Sequence, residues 1–239
     1  MNVLALETTT SICSVALKLN GAENPEELKS SERSHHSENL FRFTCKLLEQ
    51  NDLSIKELDA VVVSSGPGSY TGLRIAASGV KGLLFDTGVP LYAVNTLAGF
   101  AVGGLKQSQN NKGEDKSTIN HLHSVLDARR KHLYHQFFIY SVNELTGKTT
   151  PEITPIKEIE TMLEAGDMIV GTGIKRLDGS ILEQVIVEDE TTISAMSLLK
   201  IHEKAIIQDR PNWKPFIKKV SPVDFEPDYL AETQTRSKR

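Results

Sequence analysis

The chain has 239 residues, 39% of them hydrophobic and 24% charged, with a formal net charge of −4. That is enough apolar chain for a sizeable core in one domain or two small ones, and the negative balance excludes a protein that grips nucleic acid tightly through a broad basic face. Its longest apolar runs, such as residues 58–63, fall far short of a bilayer span and no leader pattern opens the chain, which predicts a cytoplasmic protein with no membrane contact.

In chain order, Val3-Leu4-Ala5-Leu6 is a short apolar strand, Glu7-Thr8-Thr9-Thr10-Ser11 a polar turn, and residues 12–19 a second strand. Asn20-Gly21 supplies a positive-φ pair for a tight hairpin, and residues 26–32 suit a third, more polar edge strand. From Ser34 the period becomes that of an amphipathic helix, with Leu40, Phe41, Thr44, Leu47 and Leu48 as its stripe and Ser34 or Ser37 as N-cap. Residues 58–63 read as a strand covered on both faces, 71–86 as a helix stopped at Gly88, and 91–94 as another buried strand. Three antiparallel strands, then helix, strand, helix, strand, is the order of the ribonuclease-H-like fold, so residues 1–104 form one α/β lobe.

Residues 106–118 carry no apolar side chain, which predicts a surface linker over 105–118. A smaller lobe over 119–193 restarts with a hairpin, 122–127 and 133–140, turning at Ala128-Arg129-Arg130-Lys131. A helix near 156–164, a strand at 168–170 and a Gly171-Thr172-Gly173 turn follow. Ser194 then caps a helix over about 194–209, with Ala195, Leu198, Leu199, His202 and Ile206 on one side. The tail after Pro211 ends in residues 235–239, which are expected to fray. Cys13 and Cys45 stand in no ligand spacing and read as small buried apolar residues.

The most informative run is Gly66-Pro67-Gly68-Ser69-Tyr70-Thr71-Gly72-Leu73-Arg74, where a buried strand meets a Gly-Pro-Gly turn that opens a helix. Backbone N–H groups there suit an anion, but the run is neither a P-loop nor a GxGxxG fingerprint, and a plain tight turn explains it equally. Along the helix, Gly72, Ala76, Gly79 and Gly82 or Leu83 leave a flat strip for close packing, against either this chain's own sheet or another subunit. The 7–11 turn resembles the first phosphate loop of the actin and sugar-kinase superfamily, with Glu7 as its acid. The pairs His35-His36, His121-x-His123 and His132-x2-His135 suggest no complete metal site, and no serine-hydrolase elbow occurs.

Together, Leu4-Ala5-Leu6-Glu7-Thr8-Thr9-Thr10, His36-Ser37-Glu38, the 66–74 run, Lys81-Gly82-Leu83, Val94-Asn95-Thr96-Leu97, Leu126-Asp127-Ala128-Arg129-Arg130 and Phe225-Glu226-Pro227-Asp228-Tyr229-Leu230 resemble the TsaB family, also called YeaZ. The resemblance implies two ribonuclease-H-like lobes of the actin and sugar-kinase superfamily, with the last helix returning to the first lobe. It implies a non-catalytic subunit that activates a TsaD-like catalytic paralogue, beside a TsaE-like ATPase, in transferring threonylcarbamoyl to the adenosine 3′ of the anticodon in tRNAs reading ANN codons. tRNA is then met only through the complex. The paralogue's HxxxH metal pair would fall at Thr96 and Phe100 here, so no catalytic residue and no metal ligand are expected. Glu7, Thr8, Thr9, Gly66 and Gly68 would line a weak nucleotide cleft, with no tightly bound cofactor and ATP or ADP at a subunit boundary. The resemblance also turns the small-residue strip into an interface for the paralogue or a second copy: His36, Leu40, Phe41, Gly72, Leu73, Ala76, Gly79 and Leu83. The alternative is a residual nucleotide hydrolase or peptidase-like enzyme.

Overall fold

The computed structural model describes residues 1–32, 35–111, 120–188 and 193–230. The chain opens with β1 (Val3–Glu7), β2 (Cys13–Lys18) and β3 (Glu26–Ser30), an antiparallel meander as expected. The turn between β2 and β3 differs: of the Asn20-Gly21 pair only Gly21 takes positive φ, and β3 starts five residues later. Helix α1 (His36–Gln50) then buries Leu40, Phe43, Thr44, Leu47 and Leu48 along one side. Ser37 lies inside its first turn rather than at the cap, which is His35 with no side-chain bond, and Ser34 falls outside the described residues.

Strand β4 (Ala60–Gly66) is buried nearly throughout because it pairs in parallel with β1 on one side and β5 (Leu91–Asn95) on the other. Between them runs α2 (Tyr70–Leu83), which ends three residues earlier than its periodicity predicts, since Asp86 and Gly88 adopt positive φ and unwind the end. Helix α3 (Thr96–Asn111) continues well into the expected linker. Polar side chains such as Lys106 prolong a helix readily when no glycine or proline intervenes. Residues 112–119 lie outside the described ones.

The second half contains β6 (His121–Asp127), β7 (His132–Ser141), β8 (Glu144–Gly147), β9 (Glu152–Pro155), α4 (Ile156–Met162), β10 (Met168–Val170), α5 (Gly179–Leu182) and β11 (Ile186–Glu188). Helix α6 (Ala195–His202), capped by Ser194, runs on into a π-turn at Glu203–Ile207, and β12 (Ile217–Val220) ends the ordered elements. One sheet has the order β12-β5-β4-β1-β2-β3 and the other β11-β10-β6-β7-β8. Both therefore repeat one arrangement, with the first strand of each flanked by an antiparallel hairpin partner and a parallel crossover partner. These are two ribonuclease-H-like lobes.

Helices α3 and α6 lie between the sheets, and one apolar core joins Ala5, Val62, Leu97, Phe100 and Leu198 to Leu122, Phe138 and Val170. Helices α1 and α2 cover the outer face of the first sheet, around Leu4, Leu6, Val61 and Val63. α4 and the turn Thr172–Arg176 cover the outer face of the second, around Val125, Leu133 and Ile169. α6 is tied to the first sheet by Glu27, whose carboxylate accepts from the hydroxyls of Ser14 and Ser194 (2.6 Å each), while Ser14 accepts from Ala195 N–H (2.9 Å). β12, which periodicity does not reveal, pairs antiparallel with β5. Among the described residues no helix is long and apolar enough to cross a membrane.

Candidate functional site

The 7–11 loop and the 66–72 turn meet at the ends of neighbouring parallel strands, so the fold brings Glu7, Thr8, Thr9, Gly66 and Gly68 together. It also closes the space between them. A Cβ on Gly68 would stand 2.6 Å from the Thr9 Cβ, and one on Gly72 would stand 1.9 Å from the Thr8 carbonyl oxygen. Three donors of the turn are already committed: Ser69 N–H to Thr9 O (2.7 Å), Gly66 N–H to Thr96 Oγ1 (3.1 Å), and Gly72 N–H to Ser69 Oγ (3.3 Å). Thr8 Oγ1 in turn donates to the Gly72 carbonyl at 2.8 Å.

Glu7 is buried, and burial raises its carboxyl above the ordinary range, against the pull of the Thr9 hydroxyl and N–H that donate to it. Burial, helped by Glu7, likewise pushes the Cys13 thiol up to about 12, which keeps it an uncharged core residue. Cys45, by contrast, is exposed on α1, because it falls one position off the buried stripe.

Asn95 occupies the junction of β5 and α3. Its Oδ1 accepts from Leu97 N–H (2.8 Å), capping the helix, and its Nδ2 donates to Gln136 Oε1 on β7 (2.6 Å), linking the two lobes. Thr96 is consumed by its bond to Gly66, and Phe100 is 2% exposed in the core between the sheets.

The expected interface residues divide into two groups. Leu40, Leu73 and Ala76 are fully or almost fully buried, and a Cβ on Gly79 would meet Leu40 Cδ2 at 2.9 Å. Gly72 sits on Thr8, and His36 turns inward, its Nε2 3.0 Å from the Thr10 carbonyl. Gly72, Ala76 and Gly79 thus pack α2 against α1 and the 7–11 loop of the same chain, while Gly82 meets nothing within 4 Å. Phe41 remains 43% exposed and Leu83 is partly exposed. The outward face of the pair instead carries Phe85, 77% exposed, and Tyr70, 58% exposed, whose hydroxyl accepts from Arg74 (3.1 Å). Phe85 lies within the expected helix span of 71–86 but beyond the observed end of α2 at Leu83.

Polar groups of the second lobe also pair among themselves. At the β6–β7 turn, Arg129 and Arg130 both hold positive φ, and Asp127 accepts from Arg129 N–H (2.8 Å) and from Arg176 (2.6 Å). On the outer face, His123 Nδ1 lies 3.0 Å from His135 Nε2, and Asp167 lies 3.2 Å from His121 and 3.6 Å from His123. Burial lowers His123 and His135 to about 4, so both are neutral at pH 7. Spacing alone pairs His121 with His123 but gives no sign of Asp167, which arrives through the parallel pairing of β10. Among the described residues no group of three or more such side chains could hold a metal ion. The tail returns to the first lobe: Asp228 N–H donates to Ser65 O (2.7 Å), Phe225 is buried, and the Tyr229 ring lies 5.2 Å from that of Tyr70. Residues 235–239, expected to fray, fall within the span 231–239 that lies outside the described residues.

The model of the family described as TsaD, tRNA N6-adenosine threonylcarbamoyltransferase, matches residues 26–162. The chain is similar to the tRNA threonylcarbamoyladenosine biosynthesis protein TsaB of Haemophilus influenzae, 23% identical over 100% of this chain and 97% of that one. It is 28% identical to TsaB of Escherichia coli over 180 residues, 72% of each chain. Its fold is similar to that of YeaZ from Pseudomonas aeruginosa, with a TM-score of 0.77, 23% identity, and coverage of 96% of this chain and 99% of that one.

Proposed function

The chain belongs to the TsaB branch of the tRNA N6-adenosine threonylcarbamoyltransferase family, and on that premise we propose that it is a non-catalytic subunit of tRNA threonylcarbamoyladenosine biosynthesis, acting by dimerising with a TsaD-like catalytic subunit. One observation carries the reading. The two positions where the catalytic paralogue's metal pair would fall, Thr96 and Phe100, are built into the core, one capping the Gly66 N–H and the other filling space between the sheets. A phenyl ring offers a metal nothing.

The partner surface in this reading is the outward face of α1 and α2, which presents Phe41, Leu83 and Phe85, with Tyr70 at the opposite end of α2. A second copy competes for the same face. A TsaE-like ATPase and tRNA join through the assembled complex. ATP or ADP binds at the subunit boundary with donors supplied mainly by the partner, since the N–H groups of Gly66, Ser69 and Gly72 are already engaged.

The test is reconstitution. Modification of tRNA by the other purified components is expected to require this chain, and this chain alone is expected to modify nothing. Full activity without it, or activity from it alone, overturns the proposal.

A further inference from the structure

We propose that the cleft at the opposite end of β1 from the 7–11 loop binds a small organic anion, one that joins an apolar body to a phosphate-, sulfate- or carboxylate-like head. The cleft opens where the start of β1, the end of β2, α3, α6 and the end of β7 converge, and it has a volume of about 880 Å³, within the range of small-molecule sites. Part of its wall is apolar, including Val3, Leu19, Leu105, Tyr140, Met196 and Trp213.

Its charge runs against that of the protein. Lys18, Lys106, Lys200, Lys204 and Arg210 line it, against the carboxylates of Glu23 and Glu203 in the wall and of Glu144 beside Arg210, in a chain whose net charge is −4. Some of this charge is spoken for: Lys200 pairs with Glu203 (3.1 Å), Arg210 with Glu144, and Lys18 donates to the carbonyls of Ala22 and Glu23. Lys106 and Lys204 have no carboxylate within ion-pair distance among the described residues, and Lys204 reaches only the neutral Gln208 side chain at 3.3 Å. Partial burial and the nearby Lys200 and Arg210 hold the Lys204 ammonium below the ordinary lysine range. Cations gathered this closely repel one another, and an anion between them relieves that repulsion.

The wall also leaves a polar group unmatched. His202 is 2% exposed, its ring edge-on to Tyr92 at 5.0 Å, and its Nε2 has no hydrogen-bond partner. Apolar wall residues, a surplus of cations on the rim and an unpartnered imidazole nitrogen are the complement of an amphipathic anion. Because α3, α6 and β7 all contribute, such a ligand would bear on the packing of both lobes.

Trp213 lines the cleft and is the protein's sole tryptophan, so its emission reports this site. Full-length protein titrated with 8-anilinonaphthalene-1-sulfonate is expected to show saturable quenching of Trp213 at a single site, weakened by about 0.3 M salt. Lys200→Glu with Lys204→Glu is expected to weaken binding about tenfold, and Lys106→Glu, on a different helix, several-fold. Phe85→Ser, which removes the exposed ring on the far side, is expected to leave the quenching unchanged. Thermal melts establish that each variant is folded, and Lys106→Glu carries the test should the double variant fail. Absence of saturable quenching in the wild type, quenching indifferent to charge reversal in folded variants, or loss of quenching with Phe85→Ser overturns the proposal.

Discussion

Replacing Gly72 by alanine separates packing within the chain from packing between subunits. In a helix the change favours alanine by up to about 1 kcal/mol. Here the new methyl would stand 1.9 Å from the Thr8 carbonyl oxygen, whereas ordinary contact begins near 3.4 Å, so backbone must move by more than an ångström. Overpacking of this kind costs about 1–3 kcal/mol, and disturbing the buried bond from Thr8 Oγ1 to the Gly72 carbonyl adds about 1. The net expectation is a loss of about 1–3 kcal/mol, a drop in melting temperature of roughly 3–10 °C for a chain of this size. Gly82→Ala on the same helix meets nothing within 4 Å and should be neutral or stabilising by up to about 1 kcal/mol. Urea denaturation followed by circular dichroism measures both. A Gly72→Ala protein as stable as wild type but unable to bind its partner would refute the internal-packing account and restore the strip to the interface.

Phe41→Glu combined with Phe85→Arg is expected to abolish both homodimer and heterodimer on gel filtration while shifting the melting temperature by no more than about 2 °C, because Phe85 is largely and Phe41 partly exposed. Ala76→Arg, at a site with no exposure, is expected instead to unfold the chain, seen as loss of the cooperative melt. Asn95→Ala, removing the α3 cap and the bond to Gln136, should cost about 1–2 kcal/mol in urea denaturation. Stability should also fall with acid. His135 and His202 are held at about 4 in the folded chain against an ordinary 6.5, so their contribution is complete above pH 6.5 and is lost as pH falls towards 4. Each histidine accounts for roughly 3 kcal/mol over that window. Glu7, raised from 4.5, works the other way, favouring the folded state at low pH and losing that contribution as pH rises. Urea midpoints that stay flat from pH 7 to pH 4.5 would contradict the buried, neutral histidines.

The first lobe was legible because its strands alternate or run apolar in a recognisable order and its α1 stripe repeats at helical spacing. β12 was not, since Ile217-Lys218-Lys219-Val220 carries too little pattern to distinguish from coil, and its place is fixed by the β5 edge it completes. The extent of α3 was misjudged because a polar run marks a solvent face as well as it marks a loop.

The sequence by itself determined the fold class, the family resemblance through the 66–74 run, and the substitution of Thr96 and Phe100, because each is a matter of residue type and local order. Which face of α2 looks outward was decided only by tertiary structure. Glycine and alanine at helical spacing permit a close approach without naming the partner, and here α1 and the Thr8 carbonyl of the same chain occupy it. The same holds for Asp167, which joins the histidines across parallel strands, and for the cleft beside Trp213, where Lys106 meets Lys200 and Lys204 only when α3 and α6 pack between the sheets.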